Sequence, residues 1–576
     1  LVVTIEAKKT DGPLALTWST TLRNRGSAPL DGLEVLPLYV PMDVDPAKDG
    51  PVVRHLSGSY HYDGVYPPRA FRVSSEQFLT HDHCKPVRIQ SSTLGAAGEH
   101  VPILQFAVRR NGGLTGFAIG FEWSSRWYLE AGWASGCFKG EPRPPFIVQG
   151  NVGLASFALA PGEELRLPAV HMVFFEGEDW AADNALRAYT REHLSARLHG
   201  AVPVPPVSYD HWFGIHEGFD VQDLKRQAEC AVELGCEYFC LDASWYACRT
   251  QWQDGIGNWF TPDPAKFPNG VEELSEHVRA LGMGFGIWHQ IQRAAAGTDM
   301  IQRYPSLFHP DGRGGGFLRL ELPAAQDAAL DLMRGWIRRW GLSWMRFEFV
   351  EPENYVYERD SSGKLAFAYV QGLWRVMDAL RAEFPDLYIE GCQGGGTKLE
   401  WGMTARTHGA WLSDHTAHPD VCRFMQTGAS RFWPSHFLNS AVRAHRGSGD
   451  AEATVRNLLS RMVGTLSFNG DIAQWSRTAI HEMRRGVEVY KQIRPLLAGD
   501  VAFPFGQPRS ANDWDAVLFR GNGGRLLLLF RIGGAAALGL DRVPGDWRLL
   551  LGTPGARRTP EGAFELAENG AALWLE

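Results

Sequence analysis

Three hydropathy regimes follow one another along the chain. Over residues 1–195 the apolar positions come in short or alternating runs, at 14–22, 33–40, 117–122, 154–160 and 170–175, split by Gly, Pro and Asn turns. This pattern predicts a large β-sandwich. A helical pattern over 178–198 follows, and Ala201-Val202-Pro203-Val204-Pro205-Pro206 then stiffens the chain into an extended linker.

Beyond the linker, short apolar strands alternate with amphipathic helices. Candidate strands fall at 207–213, 238–242, 283–288, 344–349, 387–390, 410–413, weakly at 432–437, and near 466–471, with an additional one at 317–321 in a long excursion. The clearest helix, 221–234, sets Val221, Leu224, Ala228, Ala231 and Val232 on one stripe. Eight β/α units predict a TIM barrel, whose reactive groups sit at the carboxyl ends of its strands. From about 500 the pattern is again β, with runs at 516–520, 525–532, 547–551 and 572–575 and a Gly521-Asn522-Gly523-Gly524 hairpin turn. The expected fold is therefore multidomain α/β: an N-terminal β-sandwich (1–200), a central (β/α)8 TIM barrel (201–495) and a C-terminal antiparallel β-sandwich (496–576).

Composition narrows the function classes. With 57 Lys and Arg against 65 Asp and Glu, the net charge of -8 offers no broad basic field, so nucleic acid is not an expected partner. No apolar run approaches the roughly 18 residues of a membrane span, so a membrane is not expected either. The chain opens on Leu1-Val2-Val3-Thr4, neither a Met nor a signal peptide, which reads as a cut or processed start. Eight cysteines are too sparse for a disulfide scaffold, and reduced thiols point to the cytoplasm; a secreted or periplasmic location stays open, because a removed leader would be invisible. His81-Asp82-His83-Cys84 is the one metal-like cluster and, with no distant partner set, reads as a surface loop. The 21 Trp, 31 Phe and 15 Tyr are a level common where sugar rings stack on aromatic faces, although large cores use them too.

The polar residues ending the predicted strands should meet in one pocket. They are Trp212; Asp242 with Trp245; Trp288, His289 and Gln290; Arg346 and Glu348; Glu390 and Cys392 before Gly394-Gly395-Gly396; and Trp411 with Asp414. Two or three carboxylates in an aromatic-walled pocket suit glycosidic hydrolysis, in which one carboxylate attacks and another donates a proton. A strand-end carboxylate can also merely cap a helix or pair with Arg, and Glu390 is read as structural. Each of Trp212, Trp245 and Trp288 stands either in the core or against a sugar. The triple glycine lacks a phosphate-loop context and reads as a turn where backbone approaches a ligand, while 314–316 reads as a plain loop.

At these residues the chain resembles the retaining α-galactosidases of glycoside hydrolase family 36. Phe121-Glu122-Trp123-Ser124-Ser125-Arg126-Trp127 and Pro161-Gly162-Glu163-Glu164 are similar to stretches of that family's N-terminal sandwich. Residues 254–260 followed by Phe267-Pro268-Asn269-Gly270 resemble its LGDW...KFPNG segment, and Gly282-Met283-Gly284-Phe285-Gly286-Ile287-Trp288 its GM-FGLW strand. Glu390-Gly391-Cys392-Gln393-Gly394-Gly395-Gly396 resembles ESCSSGG, and Trp411-Leu412-Ser413-Asp414-His415-Thr416 resembles WTSDNT.

The resemblance implies a retaining exo-acting α-glycosidase for terminal galactose or a related, modified sugar. Asp414 falls on the family's acid/base, and Glu348 on its nucleophile within KWDMNR, which reads Arg346-Phe347-Glu348-Phe349-Val350-Glu351 here. The implied substrate-binding set is Trp212, Asp242, Trp245, Trp288, His289, Gln290, Arg346, Cys392, Gly395 and Trp411. Several positions depart from the family. Glu replaces Asp at 348 and Arg replaces Lys at 346, DDGW reads Asp242-Ala243-Ser244-Trp245, the LGDW aspartate is Asn258, and amides Gln290 and Gln292 replace both glutamates of W-x-EPE. So many changes in a pocket that discriminates by buried hydrogen bonds point to a different glycone or a modified galactoside. A one-residue slip of register would pass the nucleophile role to Glu351 or Glu353. A transglycosylase and a non-hydrolytic sugar-binding relative are the alternatives. The chemistry calls for no cofactor or metal, the partner is a carbohydrate substrate, and since family relatives often form dimers or tetramers a homo-oligomer is an expectation.

Overall fold

The computed structural model describes the chain except for residues 60–65, 79–84, 111, 135–143, 351, 509–513, 522 and 540–542 and the side chains of 46 and 352–355. The cluster at 81–84 therefore lies outside the described residues, as do the side chains of Glu351 and Glu353.

Alternating apolar residues in the first 177 positions close a sandwich. One sheet has eight strands, among them Leu14–Arg23, His100–Arg110, Gly113–Phe121 and Val170–Gly177; the facing sheet has four, Leu38–Met42, Phe146–Asn151, Tyr128–Trp133 and Val87–Gln90. Phe106 and Trp133 meet Phe146 between them, at ring centroid distances of 5.2 and 5.1 Å. The expected strand at 33–40 is two strands, Leu30–Leu33 and Leu38–Met42, and Pro37, with no N–H to give a ladder, lies between them. The helical stretch after the sandwich is an α-helix, Ala181–Tyr189, continued by a π-helical turn, Thr190–Leu194.

Eight parallel strands then close a barrel: β1 (Val207–Asp210), β2 (Tyr238–Leu241), β3 (Gly284–His289), β4 (Leu342–Glu348), β5 (Tyr388–Cys392), β6 (Gly409–Trp411), β7 (Leu438–Ala444) and β8 (Thr465–Gly470). The helix after β1 spans Val221–Leu234, as its periodicity predicts. The Asp220 carboxylate caps it by accepting from the N–H groups of Gln222 and Asp223 at 2.8 and 2.9 Å, and Gly235 ends it in the left-handed region. β7 departs from expectation: residues 435–437 form a 3-10 turn after Pro434, and the strand begins only at Leu438. The excursion after β3 contains a small sheet of Arg293–Ala294, Gly316–Leu318 and Phe308–Pro310, so Gly316 belongs to a strand rather than to a plain loop.

Alternation along each strand decides what enters the barrel lumen. At the amino end Tyr238, Trp344 and Tyr388 fill it, with the last two rings stacked at 4.1 Å and both buried. Polar side chains form the layers above. The C-terminal residues build a five-stranded antiparallel sheet around Trp514–Gly521, Gly524–Arg531 and Ala571–Leu575, facing a three-stranded sheet of Ala537–Leu538, Phe564–Glu565 and Arg557–Arg558. Loops of the N-terminal sandwich brace the carboxyl end of the barrel. Ser59 Oγ donates to Leu412 O at 3.1 Å, Ala97 N to Thr397 O at 2.7 Å, and Gln393 Nε2 to Leu94 O at 3.2 Å.

Candidate active site

Glu348 is the last residue of β4 and points inward, because Trp344, Arg346 and Glu348 share one face of the strand. Its Oε1 accepts the Gly394 N–H at 2.7 Å. Burial pushes its carboxyl up to about 7, with the charge of Asp414 adding to the rise, while hydrogen bonds from Cys392, the Gly394 N–H and Trp288 oppose it. Asp414 follows β6, and the Trp411 indole N–H donates to its Oδ1 at 3.0 Å. The two carboxylates thus feel each other electrostatically across the mouth of the barrel.

The loop after β5 must present backbone to Glu348, and glycine allows it. Gly395 has φ +106°, and a Cβ there would lie 2.8 Å from Ser413 Cα and 3.0 Å from Leu412 O, so no side chain fits. Cys392 ends β5 with its thiol buried beside Trp411, Ala441 and Phe213. Burial and the charges of Glu348 and Asp414 push that thiol far up, so it acts as a neutral donor. Phe213 and Trp411 lie parallel, 7° apart at 6.0 Å.

One layer deeper, Arg346 joins three buried carboxylates. Its Nε donates to Glu390 Oε2 at 2.7 Å, and its Nη1 donates to Asp242 Oδ2 at 3.0 Å and to Asp210 Oδ2. The guanidinium sits 4.8 Å from the centre of the Trp411 ring. Asn439 Nδ2 donates to the other Glu390 oxygen at 2.5 Å, and Ser467 and Ser208 continue the chain at 2.6 and 2.7 Å. Burial and the adjacent Asp210 charge raise the Asp242 carboxyl well above its ordinary range, against the pull of Arg346. Asp210, Cys240 and Asp242 hold potential ligand atoms within 4.8 Å of one another, and Arg346 already supplies the cation between the two aspartates.

The remaining residues of the expected set separate into pocket and core. Trp288 pairs with Arg346 in register and faces the lumen. Trp212 is half-buried at the rim, 5.3 Å from Trp252, which lies 5.8 Å from Trp288. Gln290 is buried just beyond β3, and no described residue donates to its Oε1. His289 is a correction. In register with Phe347 it points away from the lumen, its ring 4.2 Å from Phe347 and 5.5 Å from Trp336, and burial lowers it to about 3, so it is a neutral core residue. Trp245 is also corrected to a supporting position. It has no exposed surface, lies 5.3 to 5.8 Å from Trp340, Trp259 and Trp336, and donates its indole N–H to Trp288 O at 2.9 Å.

The sequence reading missed Asp210, Asn439, Arg443 and Asn469. Asp210 sits inside the predicted run 207–213 and carried a signal, since alternation places Ser208 and Asp210 on one face. Asn439 and Arg443 were hidden by the misplaced seventh strand.

The melibiase family model matches residues 167–499. Among curated proteins the chain is 27% identical to an α-galactosidase of Escherichia coli over 319 residues, covering 53% of this chain and 44% of that protein. It is 25% identical to α-galactosidase C of Emericella nidulans over 401 residues, covering 66% and 52%. The chain thus spans about half the length of the curated relatives it matches. Among solved structures the α-galactosidase of Lactobacillus brevis superposes with a TM-score of 0.81 at 18% identity, covering 100% of this chain and 79% of that one. A variant of the GH36 α-galactosidase AgaA of Geobacillus stearothermophilus, in complex with raffinose, gives 0.76 at 19% identity, covering 97% and 79%. These structures share the fold of barrel flanked by β-sheet layers, and because the family match takes in the whole barrel and more than half of the residues, the chain belongs to the melibiase family.

Proposed function

We propose that this protein is a retaining exo-α-glycosidase of α-galactosidase type. The barrel region, 201–495, carries the chemistry between β domains at 1–200 and 496–576. Glu348 attacks the anomeric carbon to form a glycosyl-enzyme ester, and Asp414 protonates the departing oxygen and then draws a proton from water. Arg346, Asp242, Cys392, Trp288 and Trp411 shape the sugar pocket.

The observation that carries this reading is the pairing of inward carboxylates on β4 and after β6. Glu348 is held by Gly394 N–H, and Asp414 by the Trp411 indole. Relatives named α-galactosidases, and one bound to raffinose, support a terminal galactose or a modified form of it as the glycone. A homo-oligomer and a cytoplasmic location go with the same reading. The location is supported by the six described cysteines, all free thiols; no helix among the described residues is long and apolar enough to cross a membrane.

Proton NMR of the purified protein with aryl α-glycosides of galactose, N-acetylgalactosamine, glucose, arabinose and fucose tests the proposal. Release of the α-anomer first, abolished in Glu348→Gln, is the expected result. No cleavage of any member, or activity surviving in the variant, rejects Glu348 as nucleophile.

A further inference from the structure

At the mouth of the barrel the lumen turns from acceptors to donors. On β7 the inward face runs Asn439, Ala441, Arg443, since Asn439 reaches Glu390 and Ala441 packs on Cys392 and Trp411. Arg443 is thus the last inward residue of the strand, half-buried, and it makes no hydrogen bond or ion pair with any described residue. Its Nε is sealed from solvent without an acceptor. In register beside it on β8 stands Asn469, fully buried. Its Oδ1 accepts the Phe213 N–H at 2.6 Å, which fixes the amide so that Nδ2 is the free end, and Nδ2 has no partner among the described residues.

Three described carboxylates at this end of the barrel are otherwise engaged. Asp471 accepts from Gln227 at 2.7 Å and faces Arg446 at 3.6 Å, Glu452 accepts the His445 N–H at 2.5 Å, and Glu217 accepts the Trp252 N–H at 3.1 Å. Burial and the neighbouring charges of Arg443 and His445 push the imidazole of His216, also near Arg443, below its ordinary range. Two adjacent side chains therefore offer only donors, one of them a guanidinium, with buried N–H groups that lack acceptors. Such a set is matched by an oxyanion, which accepts at several points and balances the charge.

We propose that Arg443 and Asn469 form a subsite for an anionic group, a carboxylate or sulfate ester, borne by the sugar that the barrel binds. The inference rests on the glycosidase reading for its sugar, and it adds the class of substrate: acidic or sulfated α-glycosides. Asp210 stands in register with Asn469 on its other side, and its carboxylate is already taken up by Arg346 and the Trp212 N–H, so the anion is placed toward Arg443 at the rim.

Calorimetric titration of the full chain with galactose, galacturonate, galactose 6-sulfate and sodium sulfate tests it, beside hydrolysis of the corresponding nitrophenyl α-glycosides. The expected result is binding of a charged sugar about tenfold or more tighter than galactose, in line with a charge-assisted pair. That advantage should collapse in Arg443→Met and also in Asn469→Asp, where an internal carboxylate keeps the acceptor for Phe213 N–H and satisfies the arginine. Equal binding of neutral and charged sugars, an advantage unchanged in both variants, or binding of sodium sulfate alone overturns the proposal. Arg443-dependent binding of charged sugars without hydrolysis of any glycoside would uphold the subsite and reject the glycosidase reading; hydrolysis of the neutral galactoside with no charge preference would do the reverse.

Discussion

Glu348 is a carboxylate whose surroundings resist its charge, and its ionisation should govern the rate at low pH. With its carboxyl near 7, the attacking form grows as pH rises through that value, so the acidic limb of kcat/KM falls near neutrality. Part of the rise comes from Asp414. In Asp414→Asn, assayed with an aryl leaving group that needs no proton, the limb should therefore move to lower pH, as a pH profile would read; a limb left in place would show the two carboxylates to be uncoupled. Glu348→Gln should lose on the order of 10³-fold or more in kcat. Arg346 behaves differently, because its removal leaves three buried carboxylates without their cation. Arg346→Met should cost about 3 to 5 kcal/mol in urea unfolding, the range for breaking a buried ion pair from one side.

At the scale of elements, strand alternation separates neighbours of similar chemistry. Trp288 and His289 are adjacent in sequence yet face the lumen and the helical layer respectively, so Trp288→Ala should cut kcat/KM by about tenfold or more, whereas His289→Leu should leave it within a few-fold. Steady-state kinetics on both variants distinguishes this register from one shifted by a residue. Much of the barrel is legible from hydrophobic runs flanked by helices, and the apolar stripe of the Val221–Leu234 helix gives its bounds, which the Asp220 cap and Gly235 fix in the structure. What escaped were elements whose signal is not local. β7 reads Leu438-Asn439-Ser440-Ala441-Val442-Arg443-Ala444, with polar residues on its inward face because the lumen there is hydrogen-bonded rather than apolar, so the aromatic stretch 432–437 around Pro434 reads as the better strand. The roles proposed for Glu348 and Asp414 come from motif position, whereas the partnership of Asp210 with Arg346 emerges only when β1 and β4 are brought together in space. Trp245 misled for a related reason: a tryptophan at a strand end has the same sequence signature whether it meets a ligand or three other indoles.

At the scale of the whole molecule, the sandwich and the barrel are joined through a buried acid. Glu400 accepts from Ser124 Oγ of the sandwich at 2.6 Å and from Met403 N at 2.9 Å, while Lys398 donates to Ser124 O at 2.7 Å. Burial pushes its carboxyl up to about 8, against the lowering effect of these partners. A folded-state value above the unfolded one means that the native protein holds the proton more tightly, so stability is fully present below the unfolded value of about 4.5 and is lost progressively as pH rises through about 8. The melting temperature should accordingly fall by several degrees between pH 6 and 9, and Glu400→Gln should flatten that slope in scanning calorimetry. The stacked Trp344 and Tyr388 have a wider consequence. By filling the amino end of the lumen they close the barrel from that side, so a sugar can reach Glu348 only from the carboxyl end. Entry and exit then share one opening, so the released sugar must leave before the next substrate seats, and that sugar should inhibit competitively in steady-state kinetics.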